Sequence, residues 1–170
     1  SMTNIDPVHK VSIVSRGRAG GYTLKLPSED KYLKSKKEFE SELAVLLGGY
    51  TAEKIIFKDT TTGAANDLKV ASELARRMAT EFGMSEKLGP ITFGDKDELV
   101  FLGKELMAEK NYSEQIASLI DREIKKFISG ALMTAKKILT EKLQILHKIA
   151  KELIKKETLE QEEFYALLKA

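Results

Sequence analysis

The apolar positions along the chain follow two periods. From Val8 to Val14 (VHKVSIV) and from Tyr22 to Leu26 (YTLKL) they alternate with polar ones and are rich in β-branched residues, which predicts two half-buried strands. The glycine-rich SRGRAGG between them reads as a flexible turn, and Pro27 stops the second run, so the pair predicts a short antiparallel unit. Ser28 to Lys34 is polar and reads as a loop. The spacing then becomes helical. Ser35 with Glu38 three residues on makes a capping box, and Phe39, Leu43, Leu46 and Leu47 form one buried stripe. Gly48-Gly49 predicts a helix end or a close packing point, and Ala52 to Phe57 is apolar but too short to assign.

A second helix is predicted from about Ala65 to Phe82, closed by Gly83, with Ala71, Leu74 and Met78 on its inner face. Residues 84–112 contain Gly89-Pro90 and the short runs ITF and VFLG, and read as irregular with room for one strand. From Ser113 the pattern changes to long amphipathic helices. Ile116, Ile120, Phe127, Ala131 and Ile138 make one stripe, and Leu143, Leu146, Ala150 and Leu153 another. Thr158 with Gln161 predicts a further capping box, opening a last helix that carries Phe164, Leu167 and Leu168. Met78, Met107 and Met133 are expected in the core. The fold class is therefore mainly α: a helical domain with a small N-terminal antiparallel β-sheet and a C-terminal layer of long antiparallel helices. The change of pattern divides it into 1–112 and 113–170.

Composition narrows the function. A chain of 170 residues can bury a substantial core. With 28 basic and 26 acidic residues the net charge is +2, which gives no electrostatic reason to expect nucleic acid or an anionic membrane surface as partner. No cysteine is present, so disulfides and thiolate metal sites are excluded. No apolar run approaches the roughly 18 residues of a membrane span, and no signal peptide is visible.

The candidate chemistry concentrates on Asp67, which stands at the head of the Ala71–Leu74–Met78 stripe. One reading is electrostatic: a carboxylate in the first helical turn meets the positive end of the macrodipole and free backbone N–H groups, with Asn66 or Thr62 adding a cap. The other is that Asp67 faces inward because a cation meets it there, since buried charges are paired or bind metals. His9 lies in a strand and His147 at the edge of a helical stripe. Neither belongs to a pair at metal-ligand spacing, so both read as structural or solvated. Neither a Gly-Xaa-Ser-Xaa-Gly elbow nor a Walker phosphate loop occurs, so ATP is not bound here by that route. The Tyr22–Leu26 strand is the second candidate: either half of a hairpin, or an edge able to receive an extended peptide.

Several blocks in order, DPVHKVSIVSRGRAGGYTLKLP (6–27), LAVLLGGYTAEKIIF (43–57), TTGAANDLKVASELARRMATEFGMSEKLGP (61–90) and FLGKEL (101–106), closely resemble the peptidase domain of the FtsH family of ATP-dependent zinc metalloproteases. YSEQIASLIDREI (112–124) and ETLEQEEFYALL (157–168) continue the resemblance. It implies a membrane-anchored parent in which an AAA+ ATPase domain precedes this one. Such a parent assembles as a homohexamer, with the peptidase on the cytoplasmic or organellar matrix or stromal side. It would use ATP to feed unfolded and membrane proteins to a zinc-activated water.

The resemblance further implies that zinc is held by two histidines of a helical H-E-x-x-H and by the aspartate of the TTGAAND block, here Asp67, which would explain an inward carboxylate. It implies that substrate adds as a strand along Gly21, Tyr22, Thr23 and Leu24. No H-E-x-x-H occurs in the 170 residues, so the general base and both imidazole ligands are missing from this chain. The expectation is a piece truncated after that helix, with an incomplete zinc site, inactive alone and exposing an apolar patch where the helix would pack. The alternative is a non-catalytic helical interaction or peptide-binding module.

Overall fold

The computed structural model describes residues 6–14, 21–25, 33–94 and 112–169. The VFLG run, the FLGKEL block, Met107, Leu26 and Pro27 lie outside the described residues.

Strand β1 runs Val8–Ser12 and β2 runs Tyr22–Lys25, paired antiparallel as the alternation predicts. The ladder shifts between Val8 and Lys10, which leaves His9 as an extra residue on β1 and breaks the expected alternation there. Gly21 is fixed by proximity: a Cβ would stand 2.6 Å from the Ser12 carbonyl oxygen, so β2 can begin beside β1 only with glycine at that place.

Helix α1, Lys36–Leu46, opens on the predicted capping box, with the Ser35 hydroxyl accepting from Glu38 N–H and the Glu38 carboxylate accepting from Ser35 N–H. The chain breaks at Leu47 and resumes as α2, Gly48–Ile56. The short apolar segment 52–57 is thus the second half of a helix that starts at the glycine pair. Neither Gly48 nor Gly49 is closely packed, so the pair marks a boundary and not a contact. A 3-10 turn at Thr62–Ala64 leads into α3, Ala65–Thr80. The last carbonyls of α3 are taken up beyond its end: Arg77 O accepts from Glu81 and Phe82 N–H, and Met78 O from Met84 N–H. Gly83 turns the chain at φ +60°, and a Cβ there would meet Pro90 Cα at 3.3 Å. The ITF residues 91–93 are irregular, with Phe93 N–H donating to Thr80 O.

Helix α4, Glu114–Glu141, is capped by the Ser113 hydroxyl on Ile116 N–H. It packs against α1, α2 and α3, and its buried stripe contributes Ile120, Phe127 and Ala131 to the main core. Leu43, Leu47, Ala71, Ala75, Met78 and Ala79 join them there, each at most 1% exposed. Met78 meets its expectation. Met133 does not: it points to water at 70% exposure.

Helix α5, Leu143–Lys156, turns less of its surface inward than the sequence suggests. Leu153 is buried, Leu143, Leu146 and Ile149 are half-buried, and Ala150 is exposed, Ile149 taking its place on the stripe. Glu157 then reverses the chain at φ +61°. Thr158–Glu160 forms a third strand, β3, on the far edge of β1, giving the sheet order β2-β1-β3. Thr158 is therefore a strand residue and not a cap; its hydroxyl meets Ser12 Oγ at 2.9 Å. The helix that follows, α6 (Gln161–Lys169), is opened by Glu163, which accepts from Glu160 N–H and from Lys156 Nζ. The Lys156 ammonium holds the Glu163 carboxyl below its usual range, and Glu163 in turn raises Lys156. Packing of α4 on α1–α3 and pairing of β3 with β1 both cross position 112/113.

Candidate metal and substrate site

Asp67 sits in the first turn of α3, and the helix presents Ala71, Leu74, Ala75, Met78 and Ala79 to the core. Asp67 itself is exposed, contrary to the expectation of an inward carboxylate. The period of the stripe is right, but burial on it begins only at Ala71, one turn further along α3. The capping expectation is also revised. The N-cap of α3 is Ala64, which carries no side-chain cap, and Thr61, not Thr62 or Asn66, caps the preceding 3-10 turn by accepting from Gly63 N–H.

Carboxylates from separate parts of the chain, Asp6, Glu42 and Asp67, act electrostatically on Lys25 at the end of β2. Asp6 precedes β1, Glu42 lies on α1, and Lys25 closes β2 opposite Val8. Burial holds the Lys25 ammonium below its usual lysine value, while the carboxylates of Asp6, Glu42 and Asp67 act on it in the opposite sense. The end of β2 is thus within electrostatic reach of Asp67. Tyr22, Thr23 and Leu24 lie on β2, an outer strand of the sheet among the described residues, with Gly21 just before it, Thr23 exposed and Leu24 42% exposed. Gly21 is explained by its contact with β1 whether or not a peptide binds.

The donor set does not make a zinc site. A catalytic zinc takes about three protein ligands and leaves a position for water. Among the described residues no group of three or more His, Cys, Asp or Glu side chains could hold a metal ion. His9 lies on β1 and His147 on α5, and neither forms with Asp67 part of a group of three such side chains. A shallow open cavity of about 550 Å³ lies elsewhere, lined by Lys36, Gly83, Met84, Ser85, Glu86, Gly89 and Pro90.

Sequence reasoning missed one buried carboxylate. Glu123 lies on the inner face of α4 between Ile120 and Phe127 and is 2% exposed. It accepts from the Ser85 hydroxyl at 2.7 Å, and Ser85 accepts from Leu88 N–H at 3.2 Å. Glu123 is a single inward acid on the long face of α4. Its four- and three-residue spacing from Phe127 and Ile120 was the available signal.

A helical domain with a carboxylate at a helix N-terminus and an outer strand nearby defines a class, not a reaction. Comparison with known proteins fixes the family: a profile of peptidase family M41 matches residues 1–167. The chain is 54% identical over 166 residues to a protein of Thermomicrobium roseum named ATP-dependent zinc metalloprotease FtsH 1, covering 98% of this chain and 26% of that protein. It is 53% identical over 163 residues to the protein of that name from Thermoanaerobacter sp., and 52% identical over 163 residues to an ATP-dependent zinc metalloprotease FtsH of Caldicellulosiruptor bescii. The chain belongs to peptidase family M41. It spans about a quarter of the length of these relatives. No helix among the described residues is long and apolar enough to cross a membrane.

Proposed function

We propose that the chain is the larger part of the peptidase domain of an ATP-dependent zinc metalloendopeptidase, with Asp67 as one of three zinc ligands. The observation that carries this reading is the family match over nearly the whole chain, with Asp67 in the TTGAAND block at the exposed head of α3. The two imidazoles and the general base would come from an H-E-x-x-H segment that the 170 residues do not contain. The bound ion would polarise water for attack on a peptide bond. What this chain contributes is an accessible carboxylate, the edge strand and the core that positions both.

Along β2, Gly21, Tyr22, Thr23 and Leu24 would receive substrate as an added strand. Backbone hydrogen bonding with little side-chain readout suits unfolded proteins of many sequences. The position of β2 on the outside of the sheet among the described residues and the electrostatic reach of Lys25 to Asp67 support this arrangement. The whole protein would be a membrane-anchored homohexamer whose ATPase domain lies outside this chain, with the peptidase on the cytoplasmic, matrix or stromal side.

With a single carboxylate of the ligand set, the isolated chain should not cleave casein in the presence of zinc and ATP. Chelator-sensitive cleavage by the pure chain would overturn that expectation. In a full-length protein carrying this domain, Asp67→Asn should remove zinc and peptide hydrolysis together. Retention of both would return Asp67 to a helix-dipole role.

A further inference from the structure

The start of α3 has no side-chain cap of its own, yet the turn that precedes it is tied down from another helix. Glu53, one turn before the end of α2, uses both carboxylate oxygens on one residue. Oε2 accepts from Thr61 N–H at 2.9 Å, and Oε1 accepts from the Thr61 hydroxyl at 2.8 Å. Having donated its proton to Glu53, the same hydroxyl accepts from Gly63 N–H at 3.1 Å. The relay therefore runs from α2 to Thr61, to the first N–H groups of the 3-10 turn, and on to Ala65, whose N–H bonds Thr62 O. Ala64, at 5% exposure, anchors the turn on the core side. Four residues beyond Gly63 the backbone delivers Asp67.

We propose that Glu53 is a positioning residue for Asp67: by clamping Thr61 it fixes the turn from which α3 starts, and so the place at which the Asp67 carboxylate is presented. In this arrangement both oxygens of Glu53 serve to hold Thr61. The local sequence fits the role. A carboxylate, with two acceptor oxygens, is the group that can take an N–H and an O–H side by side. Gly63 leaves the relay room, since a Cβ there would lie 3.2 Å from Thr61 Oγ1 and 3.4 Å from Glu53 Oε1. The segment between the clamp and α2 turns at Lys58 with φ 58° and is exposed from Phe57 to Gly63, so its own side chains do not fix its direction by core packing.

The proposal rests on the reading of Asp67 as a ligand, and it is tested without metal or activity. Nitrogen-15-labelled chain is compared with Glu53→Ala, Thr61→Val, the double variant and Glu53→Gln, measuring amide exchange and backbone order parameters residue by residue. Glu53→Ala and Thr61→Val should each speed exchange at Gly63 by roughly fivefold to tenfold, the loss of a hydrogen bond of ordinary strength. Both should lower order parameters from Thr61 through Asp67. The double variant should add little to either, and amides from Ala71 to Met78 should not change. Glu53→Gln, which keeps an acceptor and a polar partner in place, should restore part of the order. Unchanged order at Asp67, even with Gly63 loosened, would overturn the proposal, as would faster exchange spread evenly through α3. A full-length Asp67→Asn protein that keeps its zinc would sink the ligand reading and leave these exchange results standing.

Discussion

Where α1, α3 and α4 meet, Leu43, Ala71, Ala75, Met78 and Ala79 are sealed from water, and alanine on α3 lets the helices approach closely. Where β1 meets β2, β3 and α6, the contacts are of another kind. Leu159 and Leu153 are the buried apolar residues there, and the rest is backbone ladder and polar tie. Ser12 Oγ meets Thr158 Oγ1 and the Glu157 carbonyl, Tyr165 accepts from Val8 N–H at 3.1 Å, and Lys10 pairs with Glu160 at 2.7 Å. The first region is held by removal of apolar area from water, worth roughly 25 cal/mol per Å². The second relies on hydrogen bonds whose net worth is about 1 kcal/mol each. Asp67 lies on the first region and the proposed substrate strand on the second, so the site spans a firm element and a softer one.

That contrast can be broken most sharply by the same deletion in both regions. Leu43→Ala should cost about 2–5 kcal/mol and lower the stability of the whole chain, because it opens a cavity at the centre of the main core. Leu159→Ala should fall toward the low end of that range. Denaturant melts followed by amide exchange would show its loss of protection concentrated in the sheet; equal loss in α3 would mean the two regions unfold as one unit.

A smaller effect probes a buried polar contact inside the first region, that of Ser85 with Glu123. Ser85→Ala leaves the Glu123 carboxylate without its hydroxyl donor and should cost roughly 1.5–3 kcal/mol, the range for hydrogen bonds to charged groups. A loss within about 0.5 kcal/mol, the scatter of an ordinary surface change, would mean that water replaces the hydroxyl. In the second region Glu157 adopts the left-handed conformation at the C-terminus of α5, where its backbone carbonyl and not its side chain bonds to β1. Glu157→Gly should therefore stabilise the chain, by about 1 kcal/mol. A lower melting temperature would mean that the side chain contributes more than the strain costs.

The smallest expected change lies between the regions. Burial makes the charged form of Lys25 less favourable in the folded chain than in the unfolded one. That cost is complete at neutral pH and fades as pH rises through the depressed folded value toward the ordinary 10.5. Lys25→Met should thus raise stability at pH 7, and the gain should shrink in alkali. A gain that stayed constant with pH would assign the effect to packing.

The two regions were also unequally legible in the sequence. Periodicity found α1, α3 and α4 and most of their buried faces, because a 3.6-residue repeat over many turns is a local signal of a nonlocal core. It placed Asp67 correctly in register but not in depth: a stripe tells which way a residue points, not whether anything lies across from it. It passed over Glu123, since an apolar stripe is read from its apolar members. The sheet was legible for β1 and β2, whose partners are adjacent in sequence, and illegible for β3. Thr158–Glu160 is three residues long, and its reason for being extended is a partner that no local pattern announces. The clamp from Glu53 to Thr61 was hidden for the same reason, although both ends lie in segments quoted for their family resemblance. For the candidate site, the family blocks marked which residues to inspect, and the coordinates supplied their exposure and neighbours.

The position of β1 at the middle of the sheet also sets a timetable. Ser12 and Thr158 are 146 residues apart, so closing the second edge of β1 needs a contact of high sequence separation, entropically costly to form early. During synthesis from the N-terminus, β1 and β2 emerge long before β3, and the helices from α1 to α4 can assemble in the interval. Until Thr158–Glu160 arrives, β1 has a bare edge of the kind that pairs with other chains. The half-made protein, not the finished one, is then the state most exposed to aggregation, and β3 is the segment that ends the exposure.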